Sequence, residues 1–208
     1  PEVELEIPAA ELCQRYEQLY TGAVNDVMRE MMLTNQALPP EIVPLRDEMT
    51  CAGIAFTIRS AMDPTMGGEM ELRVQMLDEL HPDCMVIWNA NGDDGASHWG
   101  GVMTRASMLR GCKGAIIDGG IRDTKDILEQ GLPIWYRYRT SNGALSRCKI
   151  TAYQVPIFVG SVMIRPGDVI FADLDGALVI PRKIAVAVLL RAEWIRDNET
   201  EIKERVDA

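Results

Sequence analysis

Apolar residues return at two different intervals along this chain. Over residues 9–20 and 22–33 they recur every three or four positions, the spacing of amphipathic helices. In the second stretch Val24, Val27, Met28, Met31 and Met32 share one face, which reads as core filling because methionine adapts to irregular gaps. A proline-containing loop follows at 38–45. Gly53–Ser60 (GIAFTIRS), Cys84–Trp88 (CMVIW) and Gly114–Asp118 (GAIID) are short apolar runs that read as strands. Between them, residues 69–80 read as a helix that stops at His81-Pro82, since a residue before proline avoids helical angles. Asn89–Gly95 is a turn-rich loop, and Gly101–Arg110 is a helix with Met103, Ala106, Ser107 and Leu109 available for packing. Gly119-Gly120 reads as a turn with Asp118 helping to form it, and Thr124–Glu129 as a short helix capped by Asp123 or Thr124.

Strand and helix therefore alternate three times in the middle of the chain, the pattern of parallel βαβ units in a covered sheet. Ligands of such sheets sit outside the carboxyl ends of the strands. The loops 89–101 and 118–123 both follow strands and belong on that edge. The later part is β-rich: Pro133–Tyr138, Lys149–Tyr153, Val155–Val159, Asp168–Ala172 and Ala177–Ile180 read as strands separated by turns. Tyr136 to Arg139 alternate aromatic and basic residues, as on the two faces of a strand. Residues 182–206 form one long helix with Ile184, Val188, Leu189, Trp194 and Ile195 on its apolar side; its charged end is solvated or meets a neighbouring subunit. The fold class is α/β, a parallel βαβ half packed on a β-rich half. The chain reads as a single domain over 1–208, with an N-terminal helical extension at 1–20 and a C-terminal helix at 182–208.

Composition narrows the function. With 31 acidic and 21 basic residues the formal charge is −10, which opposes binding to nucleic acid or anionic membranes. No apolar run approaches the ~20 residues of a membrane span, and the acidic start at Pro1–Glu4 does not resemble a signal peptide. A cytoplasmic protein is expected. Cys13, Cys51, Cys84, Cys112 and Cys148 lack CxxC spacing, which argues against a disulfide framework or a zinc motif and suggests buried thiols in a reducing compartment.

The segment Gly100–Asp126 carries the chemistry. Gly100-Gly101 opens a helix, so the amides of Gly101, Val102 and Met103 are donors for a carboxylate or phosphate. Arg122-Asp123 follows a buried strand. Arginine offers a charged donor fork for a carboxylate or enolate oxygen, and aspartate a hard oxygen for Mg²⁺ or Mn²⁺. Asp126, one turn on, can hydrogen-bond a metal-bound water. From spacing alone, the pair serves equally well as a simple ion pair that caps the next helix.

This segment resembles the signature of the RraA-like family: a helix-opening Gly, twenty residues, Arg-Asp, two residues, then Asp or Glu. Gly101, Arg122, Asp123 and Asp126 match it. PGDVIFADLDGALVIP (166–181) resembles the family's closing strands and GAVNDVM (22–28) its first helix, so the likeness spans roughly residues 20–190. It implies the swivelling β/β/α fold, usually assembled as a trimer or hexamer. It also implies an activity like that of class II pyruvate aldolases. These cleave 4-hydroxy-4-methyl-2-oxoglutarate and similar 4-hydroxy-2-oxo acids, and decarboxylate oxaloacetate to pyruvate. In this chain Asp123 would hold Mg²⁺ or Mn²⁺, with Asp126 acting through water. Arg122 would stabilise the enolate, and the helix opening at Gly100, Gly101, Val102 and Met103 would hold the 2-keto acid's carboxylate, with His98 as a further contact. The family's well-described aldolases carry Asp at the position of Gly101; Asp94, His98 or Glu69 are candidates to replace it. Other members bind and inhibit ribonuclease E without catalysis, which is the alternative function. SHWGG (97–101) also resembles the phosphohistidine loop of phosphotransfer domains, although Trp99 is too large for that pattern. His81, at a helix end, reads as structural.

Overall fold

The computed structural model describes residues 4–65, 67 and 70–206, with side chains as far as residue 198. In chain order its elements are α1 (Ala9–Tyr16), α2 (Thr21–Glu30), β1 (Val43–Pro44), β2 (Cys51–Met62), α3 (Met70–Asp78), β3 (Cys84–Asn89), β4 (Ser97–Trp99), α4 (Gly101–Leu109), β5 (Gly114–Ile121), α5 (Thr124–Gln130) and β6 (Ile134–Arg139). These are followed by β7 (Cys148–Tyr153), β8 (Ile157–Val159), β9 (Val162–Ile164), β10 (Val169–Asp173), β11 (Gly176–Ile180), a 3-10 turn at Arg182–Ile184 and α6 (Ala185–Val206).

β2 has partners along both edges. Parallel β3 takes one, from Ile54 opposite Cys84 to Arg59 opposite Asn89. The other edge is divided. Antiparallel β10 pairs with its first residues and antiparallel β7 with its last, the latter pairing shifting register at Arg59/Ser60. β5 and β6 continue the parallel half beyond β3, and β11 extends the antiparallel half beyond β10. Where β3 ends, β4 pairs with Gly120 and Ile121 at the end of β5. The parallel and β-rich halves are thus joined through β2 in one nine-stranded mixed sheet. This is the swivelling β/β/α architecture with N- and C-terminal helices. Among the described residues, no helix is long and apolar enough to cross a membrane.

Two apolar clusters flank the sheet. One joins Phe56, Ile58, Trp88, Ile116 and Trp135 across the parallel strands. The other packs α1, α2 and α6 against Ala52, Ile54, Val169, Phe171, Leu178 and Ile180. Each large side chain buried there contributes about 1.5–3 kcal/mol. The turn signature at 173–176 does more than turn. Asp173 accepts hydrogen bonds from the Thr21 amide (2.7 Å) and the Thr21 hydroxyl (2.7 Å), so it caps α2 from the far end of the sequence. The Asp175 amide (2.9 Å) and, at the Asp173 carbonyl, the Trp135 indole (2.8 Å) complete the turn.

Several expectations are corrected. α2 ends at Glu30 because Met32 takes a left-handed conformation (φ 64°) and the Leu33 amide closes back on the Met28 carbonyl. Met31 and Met32 are therefore exposed, and only Val24, Val27 and Met28 fill the core. Gly119-Gly120 is not a turn, and Asp118 does not form one: β5 continues to Ile121, with a register shift against β6 between Ile117 and Gly120. A Cβ on Gly120 would meet the Ala96 carbonyl at 2.5 Å, so glycine is needed for β4 and its loop to lie against the strand. Asp118 points its carboxylate at the Arg137 guanidinium. At the other end of the chain, Trp194 lies exposed beneath the Arg191 guanidinium instead of in the core.

Candidate active site

β5 and α4 bring the signature residues together. The Arg122 amide bonds to the Trp99 carbonyl (3.0 Å), which carries the end of β5 across the opening of α4. Thr104 locks that opening: its hydroxyl donates to the Gly100 carbonyl (3.1 Å) and accepts from the Trp99 indole (2.8 Å). Asp123 sits at the N-cap of α5 in a left-handed conformation, φ 55° and ψ 34°, and its side chain makes no cap hydrogen bond. It turns instead toward α4, where its Oδ2 accepts from the Gly101 amide at 3.2 Å. That amide is therefore engaged. The amides of Val102 and Met103 have no acceptor among the described residues, and remain available to an anion.

The two glycines are spatial requirements. A Cβ on Gly100 would lie 2.7 Å from Asp123 Oδ2, and one on Gly101 would overlap the Asp126 carboxylate, with Cγ at 2.9 Å. Asp123 and Asp126 thus lean over the same helix opening, one on each glycine. Arg122 lies beside Asp123, Nε to Oδ2 3.8 Å, and both side chains are half exposed. A Cβ on Gly143 would come within 2.8 Å of Arg122 Nη1, so that glycine lets the following loop rest on the guanidinium.

Gly100, Arg122 and Asp123 border a cleft of about 450 Å³, together with Arg73, His98, Val102, Met103 and the Gly143–Leu145 loop. Arg73 lies over the Trp88 ring at 5.5 Å and donates to the Met103 sulfur at 3.6 Å. Sequence reasoning overlooked it, although it is the single cation in residues 69–80. The Gly143 loop was overlooked as well. His98 belongs to the cleft wall, yet it is only 1% exposed; Nε2 lies 3.4 Å from Asp93, and Nδ1 would be 2.7 Å from a Cβ on Gly119. Burial pushes its pKa down to about 4 despite the opposing pull of Asp93, with Arg73 adding to the fall, so the ring is neutral at physiological pH. Asp94 lies elsewhere, on a second depression of about 520 Å³ shared with Asn89, Asp118 and Arg137. Glu69 lies outside the described residues.

The donors at the helix opening fit a hard divalent cation. Two carboxylates without imidazole or thiolate suit Mg²⁺ or Mn²⁺, which keep most of their waters. Asp123 would be the direct ligand and Asp126 the partner of a bound water. The arrangement as a whole can bind a small anion between a cation and helix amides, beside acidic groups able to hold a metal.

Known proteins resemble this chain over most of its length. The RraA-like family, described as Aldolase/RraA, matches residues 21–179. A Halalkalibacterium halodurans protein named "Putative 4-hydroxy-4-methyl-2-oxoglutarate aldolase" is 31% identical over 173 residues, 83% of this chain and 78% of that protein. DlpA of Legionella pneumophila is 27% identical over 165 residues, but the match spans 79% of this chain and only 27% of DlpA. Among solved structures, one described as novel cellulases from microbes associated with the gut ecosystem is 54% identical, with a TM-score of 0.94 over 97% of this chain and 90% of that one. Streptomyces coelicolor RraAS2, described as an unusual member of the RNase ES inhibitor RraA protein family, is 25% identical, with a TM-score of 0.83 over 97% of this chain and 99% of its own. By its matched sequence, its fold and its glycine-opened helix under Arg122 and Asp123, the chain belongs to the RraA-like family.

Proposed function

We propose that this protein is a divalent-metal-dependent carbon–carbon lyase acting on small 2-keto acids. It cleaves 4-hydroxy-2-oxo acids in the retro-aldol direction, decarboxylates oxaloacetate, or does both, with pyruvate as product. The observation that carries the reading is the meeting of Arg122, Asp123 and Asp126 over the opening of α4. Partner binding alone gives no reason for two glycines to make room there for two carboxylates.

The chain's own groups have separable tasks. The Val102 and Met103 amides and the positive end of α4 hold the carboxylate next to the keto group. Arg122 places its fixed charge where the enolate oxygen develops as the C3–C4 bond breaks. Mg²⁺ or Mn²⁺, held by Asp123, would supply a second positive charge for that oxygen. Asp126 fills the volume that a side chain at 101 would otherwise take, and in this reading it receives the 4-hydroxyl proton through water. Arg73, on the facing wall, suits a substrate with a second carboxylate. Cellulose hydrolysis would instead need two carboxyl groups flanking a sugar-binding cleft; here one of the two carboxylates, Asp126, does not line the cleft.

The test is turnover of oxaloacetate and of 4-hydroxy-4-methyl-2-oxoglutarate with Mg²⁺ or Mn²⁺, read as pyruvate. Arg122→Ala and Asp123→Ala should each lower it by about 10²–10³-fold or more. Turnover no faster than the uncatalysed rate across several 4-hydroxy-2-oxo acids would turn the reading to the non-catalytic regulator. The same proposal includes a cytoplasmic homo-oligomer, trimer or hexamer; light scattering that gives a monomer at micromolar concentration would contradict the assembly.

A further inference from the structure

Behind the cleft wall, two segments distant in sequence place Asp93 and His98 together with Cys148. One ligand atom from each lies within 4.8 Å of the others. His98 is 1% exposed, and neither ring nitrogen has a hydrogen-bond partner. Asp93 Oδ2 is likewise buried without one; it lies 3.4 Å from His98 Nε2, but not in hydrogen-bond alignment. Buried polar atoms are almost always satisfied, and a group of them pointing at one another calls for a missing partner. Each of the three can be a metal ligand: a neutral imidazole, a carboxylate and a thiol able to lose its proton.

We propose that Asp93, His98 and Cys148 form a buried site for a borderline-soft transition-metal dication, zinc above all, separate from the hard-cation position at Asp123. A nitrogen, oxygen and sulfur set selects zinc over magnesium. Three protein ligands leave a fourth position for water. The surroundings already hold the ligands in place. Asp93 Oδ1 accepts from the Gly95 amide (2.9 Å), and the Tyr138 hydroxyl lies 3.0 and 2.9 Å from the Asp93 and Ala96 carbonyls. The Asn142 amide group donates to the Gly95 carbonyl (3.0 Å), tying the loop to the segment that leads into Cys148. Cys148 is 2% exposed, too deep for a substrate carbonyl, so the trio reads as ligands and not as nucleophile and base. Asp93 borders the second depression and His98 the cleft, which gives an ion two approaches. The site carries the chain into Gly100, so an ion there would stiffen the wall on which the helix opening rests. No CxxC spacing is needed, because the fold and not the local sequence assembles the set.

The experiment uses the full chain, stripped with a chelator and titrated with Zn²⁺ against a chromophoric competitor, then with Co²⁺. One equivalent of zinc per chain is expected, not displaced by excess Mg²⁺, and Co²⁺ should give a thiolate-to-metal charge-transfer band. Cys148→Ser should abolish that band, and Cys148→Ser and His98→Gln should each weaken zinc binding at least ~100-fold, the upper end of what loss of a mere supporting partner costs. Asp123→Asn and Cys112→Ala should leave it unchanged. No zinc bound by the wild-type chain at micromolar concentration would overturn the proposal. So would zinc bound without the cobalt band, or binding lost in Cys112→Ala but kept in Cys148→Ser. These readouts are independent of whether the cleft turns over any keto acid.

Discussion

Replacing Gly101 by alanine separates the cleft's chemistry from its stability. The new Cβ would overlap the Asp126 carboxylate, with Cγ at 2.9 Å where ordinary contact begins near 3.4 Å. Asp126 is exposed and lies in the first turn of α5, so its side chain yields and the backbone does not. The carboxylate must swing away by about 1 Å or more to regain normal contact. A reacting group misplaced by that distance costs roughly 10²-fold in rate, equivalent to about 2.7 kcal/mol of barrier. Folding stability should move the other way, since alanine exceeds glycine by up to about 1 kcal/mol inside a helix and less at its first position. The assay is kcat for cleavage of 4-hydroxy-4-methyl-2-oxoglutarate with Mg²⁺, paired with a urea midpoint on the same preparation. Asp126→Ala added to Gly101→Ala should cause little further loss, because one mechanism accounts for both. Unchanged kcat in a folded Gly101→Ala protein would refute a role for Asp126. A drop of several kcal/mol in stability would refute the claim that only a side-chain tip stands in the way.

Three further outcomes follow from the same geometry. Asp173→Ala removes three hydrogen bonds to a carboxylate, including the cap of α2, and should cost about 3–5 kcal/mol in urea unfolding; a loss under 1 kcal/mol would show that α2 does not need that cap. Alkaline pH should also destabilise the fold. Burial, then Asp83 and Glu17, push the Cys13 thiol from 9.0 up to about 12, and burial raises Tyr16 beside it. Both are acids with folded values above their unfolded ones, so the Cys13 contribution is whole below about pH 9 and is lost as pH rises toward 12, while that of Tyr16 begins to fall only above about pH 10. For Cys13 this amounts to about 4 kcal/mol, read as a falling urea midpoint that Cys13→Ala should partly flatten. Finally, Arg73→Ala should raise KM for oxaloacetate with kcat changed far less; equal loss in both would place Arg73 at the reacting centre.

The sequence made the α/β order and the glycine-opened helix visible because both are local. Periodicity marked β3 and β5, and the fixed spacing from Gly101 to Asp126 spans one helix, one strand and one turn. What stayed hidden was set by distant partners. Gly119-Gly120 looks like punctuation, but the pair is glycine because Tyr138, His98 and the Ala96 carbonyl press on a continuous strand. Asp123 looks like a cap, yet a left-handed backbone turns its carboxylate onto Gly101. Arg73 shares a cleft with Arg122 only because the fold lays its side chain over Trp88 of β3, and Asp93 and His98 meet Cys148 only after some fifty residues of chain fold back. Asp173 caps α2 over a separation of 152 residues, where no local pattern reaches.

The divided edge of β2 has a bearing on how the chain is made. β3 can zip onto one side of that strand soon after it emerges, but the opposite side waits for β7 and then for β10. Until residues 148–173 are synthesised, a long apolar ribbon offers bare amides and carbonyls to any neighbour. Slow assembly and a tendency of shortened chains to clump are the natural cost of letting one ribbon serve both halves.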